Sequence, residues 1–228
     1  MITRSFTCLI PAYNEAARIG PVLDAVLGHA DLTHVIVIDD GSTDDTQAIA
    51  RAKGAQVIRT PGNLGKTRAL ALGLQAVQTS HVVLIDADLI GLTGQALTAL
   101  IDPVRQGTAK ATISLRGNAP RTWRLIGIDY ISGERVIAVD LLAGQQDRLA
   151  GLPRFGFEVF LNRLLIDRSA PIAIVPWPDV ASPSKASKRG AIAGIRADIA
   201  MMADIFRTIG PVDCLRQITA LRRLRQVS

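Results

Sequence analysis

The sequence predicts an α/β protein: a single mixed, mostly parallel sheet flanked by helices, with C-terminal amphipathic helices after it. Two observations carry this. Short apolar, β-rich runs alternate with helical stripes through the first half, the order that makes a parallel sheet covered on both faces. Two of those runs, VIVIDD and VVLIDAD, end in paired carboxylates, and open α/β sheets bind ligands beyond the C-terminal ends of their strands.

In order, residues 7 to 10 read as a strand ended by Pro11. A helix follows with Ile19, Val22, Leu23, Val26 and Leu27 on one stripe, Pro21 being tolerable only in its first turn. Residues 35 to 38 make a second strand, 46 to 53 a short helix after GSTDD, and 56 to 58 a third strand. Residues 66 to 78 form a helix with Leu70, Leu74 and Val77 on one side, leading to a fourth strand at 82 to 85. The second half is less regular: a helix at 93 to 100, strands at 109 to 115 and 135 to 139, a helix at 158 to 166, and a strand at 172 to 175. PWPDVASPSKASKRG is a loop by its prolines and serines. Ile192, Ile195, Ile199, Met202, Phe206 and Ile209 then form an apolar stripe. After Pro211 come Leu215, Ile218, Leu221 and Leu224 beside Arg216, Arg222, Arg223 and Arg225. This divides the chain into 1–190, with a ligand-binding half at 1–92 and a second half at 93–190, and a basic helical segment at 191–228.

At 228 residues, 48% hydrophobic and 20% charged, the chain buries a sizeable core. No apolar run reaches the ~18 to 20 residues of a membrane span, and MITRSFTCLIP is too short a run for a signal peptide. Cys8 and Cys214 are too few for a disulfide framework or zinc cluster, which suggests a cytoplasmic protein. The formal charge of +6 lies wholly in residues 180 to 228, where nine Lys or Arg face three Asp. Such an excess marks either a solvated helix or contact with an anionic surface or substrate. With 4% aromatic residues and no recognition motif, nucleic acid is excluded.

Three stretches invite a nucleotide. GNLGKT, residues 62 to 67, is not a P-loop, since its glycines enclose two residues rather than four. It remains a glycine-rich turn that sets Lys66 and Arg68 near a helix N-terminus, an anion contact. PAYNEAARIG lacks the G-x-G-x-x-G of dinucleotide folds, so the acids Asp39 and Asp40 are expected to meet a base or ribose in another setting. At least one of Ser42, Thr43, Asp44 and Asp45 should cap the following helix. Asp86 and Asp88, one residue apart on an extended chain, should point the same way. Their mutual repulsion calls for a cation. Hard oxygen ligands favour Mg²⁺ or Mn²⁺. His29, His34 and His81 are scattered and read as structural.

Taken in order, LIPAYNEAARIG, VIVIDDGSTDDT, GNLGKTRALALGL and VVLIDADLIGL resemble the successive motifs of family 2 glycosyltransferases of the GT-A fold. DYISGERVIAVDLL, GLPRFGFEVFLNRLL and IAIVPWPDV resemble the acceptor half more loosely, in the manner of polyprenyl-phosphate sugar synthases. The Pro-Ser-Lys loop and Glu134 depart from that pattern. The resemblance implies sugar transfer from a nucleoside diphosphate donor. By position, Pro11, Ala12, Tyr13 and Glu15 line the base and ribose, and Asp39 or Asp40, the latter favoured, bonds the base. The Asp86–Ala87–Asp88 segment grips the ribose and the metal on the diphosphate. Arg116 and, in the flexible loop, Lys185, Lys188 or Arg189 are the candidate cations for the leaving group, with Lys66 as a phosphate contact. Glu158, after a glycine-aromatic pair, is the candidate general base, with Glu134 a poorer one. The acceptor is a lipid phosphate at the inner face of the membrane, which needs no base, or a soluble phosphorylated small molecule. Packing of the C-terminal stripe on the protein's own sheet or on a second subunit, as a homodimer, is the alternative to membrane contact. A nucleotidyltransferase is the rival enzyme class, and it lacks the glycine-rich basic loop it would need after the first strand.

Overall fold

A computed structural model describes residues 4–145, 148–149, 151–152, 156–183 and 209–226. Seven strands form one sheet: β1 (Phe6–Ala12), β2 (Leu32–Asp39), β3 (Gln56–Arg59), β4 (His81–Leu84), β5 (Ala111–Arg116), β6 (Arg135–Ala138) and β7 (Ile172–Trp177), in the order β3-β2-β1-β4-β6-β5-β7. Only β6 runs antiparallel to its neighbours, so the other six strands end on one edge.

The helices are α1 (Ile19–Val26), α2 (Thr46–Ala52), α3 (Lys66–Gln75), α4 (Gly94–Arg105), α5 (Arg121–Ile126), α6 (Gly156–Asp167) and α7 (Pro211–Leu224). The central strands β1, β4 and β6 bury both faces, whereas the edge strand β3 is only partly buried. One core gathers Leu9, Ile38, Leu70, Trp123, Phe157 and Leu221, and the other Ile10, Leu23, Val83, Leu100 and Trp177. Adjacent strand residues thus feed opposite cores. The chain is an α/β protein with helices on both faces, as the alternation predicts.

Several expectations need correction. Pro11 lies inside β1 rather than ending it. The Leu9 carbonyl faces β4, accepting from Ile85 N at 3.1 Å. Two residues on, Pro11 faces the same side, where β4 has already ended at Leu84, so its missing N–H costs no ladder bond. That early end also puts Asp86 beyond the strand and Asp88 on the turn that follows. Helix α4 continues to Arg105 through Pro103, and Thr93 caps it by accepting from Ala96 N at 3.2 Å. Helix α5 was not anticipated. The helical run expected after Pro211 does begin there: Pro211 stands in the first turn of α7, where its lost N–H is one of the helix's unpaired donors. The stripe from Ile192 to Phe206 lies outside the described residues.

The turn after Asp88 is tied across the edge to the end of β7. Ile90 and Ala181 exchange both backbone hydrogen bonds, at 2.8 and 3.0 Å. Gly91 has φ +77°, and a Cβ there would run into the Asp179 carbonyl. Gly91→Ala therefore adds left-handed strain to a backbone clash, and should cost ~2 kcal/mol or more. Its urea midpoint should fall accordingly, and a midpoint equal to wild type would refute the tie.

Candidate active site

The loops at the C-terminal edge are held by polar side chains before any ligand is considered. Beyond β1 the chain turns through Asn14 at φ 55°, a left-handed conformation that Asn tolerates. The amides of Asn14, Glu15 and Ala16 donate to Ser42 Oγ (3.0 Å), Thr46 Oγ1 (2.8 Å) and Asp44 Oδ2 (3.1 Å). The polar run after β2 thus fastens the first loop, while Asp44 Oδ1 also accepts from Thr46 N at the start of α2 (3.0 Å). Asp40 organises the third loop, accepting from Thr60 Oγ1 (3.0 Å), Leu64 N (2.9 Å) and Gly65 N (2.7 Å). Asp39 accepts from Ser42 N (2.9 Å), and its other oxygen lies 3.3 Å from Arg59 Nη1. Both acids are buried.

The loop that Asp40 shapes delivers Lys66 at the first position of α3. Its ammonium lies 2.7 Å from Asp86 Oδ1 and 3.3 Å from Glu158 Oε1. Three elements distant in sequence thereby meet at one cation. Burial disfavours ionisation of Asp86, but the Lys66 ammonium outweighs it and holds that carboxyl below its ordinary range. Asp88 is different, having no ion-pair partner among the described residues. Burial first, then the nearby charges of Asp86 and Glu15, push its carboxyl up to about 6. Gly133 closes the pocket: a Cβ there would stand 2.7 Å from Lys66 Nζ and 2.8 Å from Asp86 Oδ2.

Behind this centre is a buried network. Arg116 lies 3.1 Å from Asp129 Oδ2 and 3.5 Å from Glu134 Oε1, and it donates to Ser182 Oγ. Ser114 and Ser132 each meet Glu134 Oε2 at 2.8 Å. Burial pushes the Glu134 carboxyl up, against the pull of Arg116. Arg135, fully buried, donates to the carbonyls of Ser132 (2.7 Å) and Tyr130 (3.1 Å) and to Asn162 Oδ1 (2.6 Å). It holds the turn that presents Gly133.

A family model described as glycosyl transferase family 2 matches residues 7–147, more than half of the chain. The chain belongs to that family. Among curated relatives, a 4,4'-diaponeurosporenoate glycosyltransferase of Staphylococcus aureus (strain MRSA252) is 33% identical over 118 residues, covering 50% of this chain and 32% of that protein. The matched segment therefore spans about a third of that relative's length. Solved structures of glucosyl-3-phosphoglycerate synthase from Mycobacterium tuberculosis share the fold. The complex with Mn²⁺, uridine diphosphate and glucosyl-3-phosphoglycerate is 28% identical, covers 85% of this chain and 79% of that one, and has a TM-score of 0.68. The complex with Mn²⁺, UDP-glucose and phosphoglyceric acid is 29% identical, covers 80% and 72%, and has a TM-score of 0.67. The sheet and its helices are thus those of the GT-A fold.

In this family 2 glycosyltransferase the structure brings Asp86, Asp88, Lys66 and Glu158 together, with Glu15 near Asp88. Tyr13 stands 41% exposed at the mouth, a face open to a planar ligand. Ala12 and Ala87 are buried, so they offer backbone rather than side chain. Pro11 is partly buried at the end of β1. Arg116 does not project freely but is spent on Asp129 and Glu134. Glu158, the candidate base, is ion-paired with Lys66. Lys185, Lys188 and Arg189 lie outside the described residues. Sequence reasoning missed Gly133, Asp129, Arg135 and Asn162; the first three lie in DYISGERV and the last in GFEVFLNRLL, segments in which no local pattern marks them.

The raised Asp88 carboxyl has a sign that can be checked. An acid whose folded pKa exceeds its ordinary 3.8 is destabilising once ionised, so stability falls as pH rises from about 3.8 to about 6. Asp88→Asn escapes that loss. Without divalent ions it should melt higher than wild type above about pH 6, with the gap closing toward pH 4. Equal melting temperatures across that range would contradict the assignment.

Proposed function

We propose that the chain transfers a hexose from a nucleoside diphosphate sugar to a phosphorylated acceptor, with Mg²⁺ or Mn²⁺ bound at Asp86 and Asp88. The observation that carries this is the uneven pair at the sheet edge: Asp86 is neutralised by Lys66, and Asp88 is an acid left wanting positive charge. The donor set fits a hard divalent ion. Two carboxylates leave coordination positions for diphosphate oxygens, and no group of three His, Cys, Asp or Glu is assembled for a metal among the described residues. The Mn²⁺ and uridine nucleotides in the solved relatives support the same reading.

Tyr13, with Pro11, Ala12 and Glu15, brackets the base and ribose, and Asp39 and Asp40 form the wall at the base end. The backbone at Ala87 and the Asp86 carboxylate face the ribose. Lys66 reaches the diphosphate. When bound, the divalent ion supplies positive charge where the departing oxygen becomes negative. The buried guanidinium of Arg116 adds to that potential from behind Asp86, without touching the donor. Gly133 and the turn above it exclude water from one side of the reacting centre.

The acceptor follows from Glu158. A hydroxyl nucleophile calls for a base within reach, and the carboxylate placed here is engaged with the Lys66 ammonium at 3.3 Å. An acceptor oxygen that is already ionised has no such need, which favours a lipid phosphate. Helix α7 supports a surface role: Val212 and Leu215 are 59% and 64% exposed beside Arg216 and Arg223. No helix among the described residues is long and apolar enough to cross a membrane; the contact we propose is made by α7, at the cytoplasmic face. A soluble phosphorylated acid is the second reading, favoured by the phosphoglyceric acid in the solved relatives.

Asp88→Asn should fold yet lose about 10²-fold in metal-dependent turnover, ~3 kcal/mol of transition-state stabilisation. Turnover above half of wild type at saturating Mn²⁺ would refute the metal role. Release of nucleoside diphosphate, rather than pyrophosphate, separates the transferase from a nucleotidyltransferase.

The intact protein should sediment with anionic liposomes and be released by salt, each arginine near the surface contributing ~1 kcal/mol. Folded protein left in the supernatant at low salt would favour the soluble acceptor. A dimer mass in solution would assign the α7 face to a second subunit.

A further inference from the structure

The ion pair between Lys66 and Asp86 has a consequence for how metal and donor bind. Of the two carboxylates that face the diphosphate site, Asp86 already has a cation, 2.7 Å from its Oδ1. The same ammonium is held from its other side by Glu158 at 3.3 Å. Gly133 confines it on one side, since a Cβ there would lie 2.7 Å away, while 40% of the side chain stays exposed and leaves it room to turn to a diphosphate. Lys66 is also the first residue of α3, anchored through Gly65 N to Asp40 at 2.7 Å. Its position is therefore built into the fold rather than being that of a surface side chain in transit.

A divalent ion arriving alone at Asp86 and Asp88 meets this fixed positive charge and finds two protein carboxylates, one of them shared. No third acid, histidine or cysteine completes the set among the described residues. Two effects thus weaken the metal alone, Coulomb repulsion from the ammonium and a short ligand count. A diphosphate reverses both. Its oxygens complete the coordination shell, and its negative charge gives the Lys66 ammonium a new partner, freeing Asp86 for the metal.

We propose that Lys66 is the residue that couples metal to donor: it holds Asp86 against free divalent ions and releases it to the ion that arrives with a diphosphate. The inference rests on the reading of Asp86 and Asp88 as the metal pair and deepens it to an order of binding. Metal and nucleotide bind as one unit, and by linkage each raises the affinity of the other by the same factor. The enzyme would then ignore free Mn²⁺ and Mg²⁺ and respond to the ion carried on the donor.

The test is binding, not turnover. Free Mn²⁺ is followed by its solution EPR signal at about pH 8, with and without UDP, in wild type, Lys66→Gln and Lys66→Arg. Wild type should bind Mn²⁺ at least about tenfold more tightly with UDP than without. Lys66→Gln should bind Mn²⁺ alone about tenfold more tightly than wild type, because the repelling charge is gone. In that variant the enhancement by UDP should shrink to a few-fold, since UDP has lost its ammonium. Lys66→Arg keeps the charge and should keep the wild-type pattern. Wild type binding Mn²⁺ equally well with and without UDP overturns the proposal without recourse to any variant, which covers the case of a misfolded one. Unchanged affinity for Mn²⁺ alone in a folded Lys66→Gln overturns it as well, while leaving the metal pair and the transferase reading intact. Failure of wild type to bind Mn²⁺ and UDP at all would instead sink the functional reading itself.

Discussion

An ammonium held between two carboxylates joins parts of the chain that the fold would otherwise bring near one another only loosely. Lys66 comes from the start of α3, Asp86 from the turn after β4, and Glu158 from the first turn of α6. Each arrives by a separate route: the Asp40 carboxylate shapes the loop before Lys66, the early end of β4 turns Asp86 off the sheet, and the apolar face of α6 fixes Glu158. Removing one partner from such a cluster leaves an uncompensated charge, which is why clusters of this kind lock an arrangement even when their net contribution to stability is small. The first and second halves of the chain are pinned together at the place where the chemistry is proposed to occur.

The two acids of the Asp-x-Asp segment show how environment divides one motif into two roles. Both are aspartates one residue apart, yet Asp86 is drawn below its ordinary range and Asp88 is pushed up to about 6. The difference comes from a single lysine lying against one and not the other, with Glu15 adding its charge to the neglected member. An acid that is costly to ionise alone is one that gains most from a cation. The strain of like charges is thus concentrated on one residue rather than shared.

The first half of the chain was legible because its signals are local. Apolar runs of four or five residues between helical stripes, and acids at their ends, survive translation into structure nearly unchanged. Where reading failed, the deciding contacts were remote. Strand β4 stops at Leu84 because its partner β6 pairs only from Arg135 to Ala138, fifty residues away, so extended geometry could not be assumed for Asp86 and Asp88. Arg116 looked like a free cation because its partners, Asp129 and Glu134, lie on a loop that no periodicity marks. Nothing near Glu158 in sequence reveals its ion pair with Lys66. Gly133 carries no chemistry of its own, and its importance is only that two charged groups stand where its side chain would be.

The irregular second half has a physical reason for being so. Strand β6 must run against the sheet in order to begin, rather than end, at the functional edge, and this puts the turn from Tyr130 to Glu134 over Asp86. A turn there has carbonyls to satisfy and an acidic neighbourhood to offset. Arg135 does both: it takes the Tyr130 and Ser132 carbonyls and the Asn162 amide oxygen, with no carboxylate among its hydrogen-bond partners. A buried guanidinium without a carboxylate partner is expensive, and burial does lower its pKa. The charges of Glu158, Asp129 and Glu134 oppose that loss through space. The acids of the site therefore stabilise the cation that shapes the turn, and the turn in turn confines Lys66. Fold and site depend on the same balance of charge, so the second half of the chain cannot be idealised into regular strand and helix without dissolving the centre it encloses.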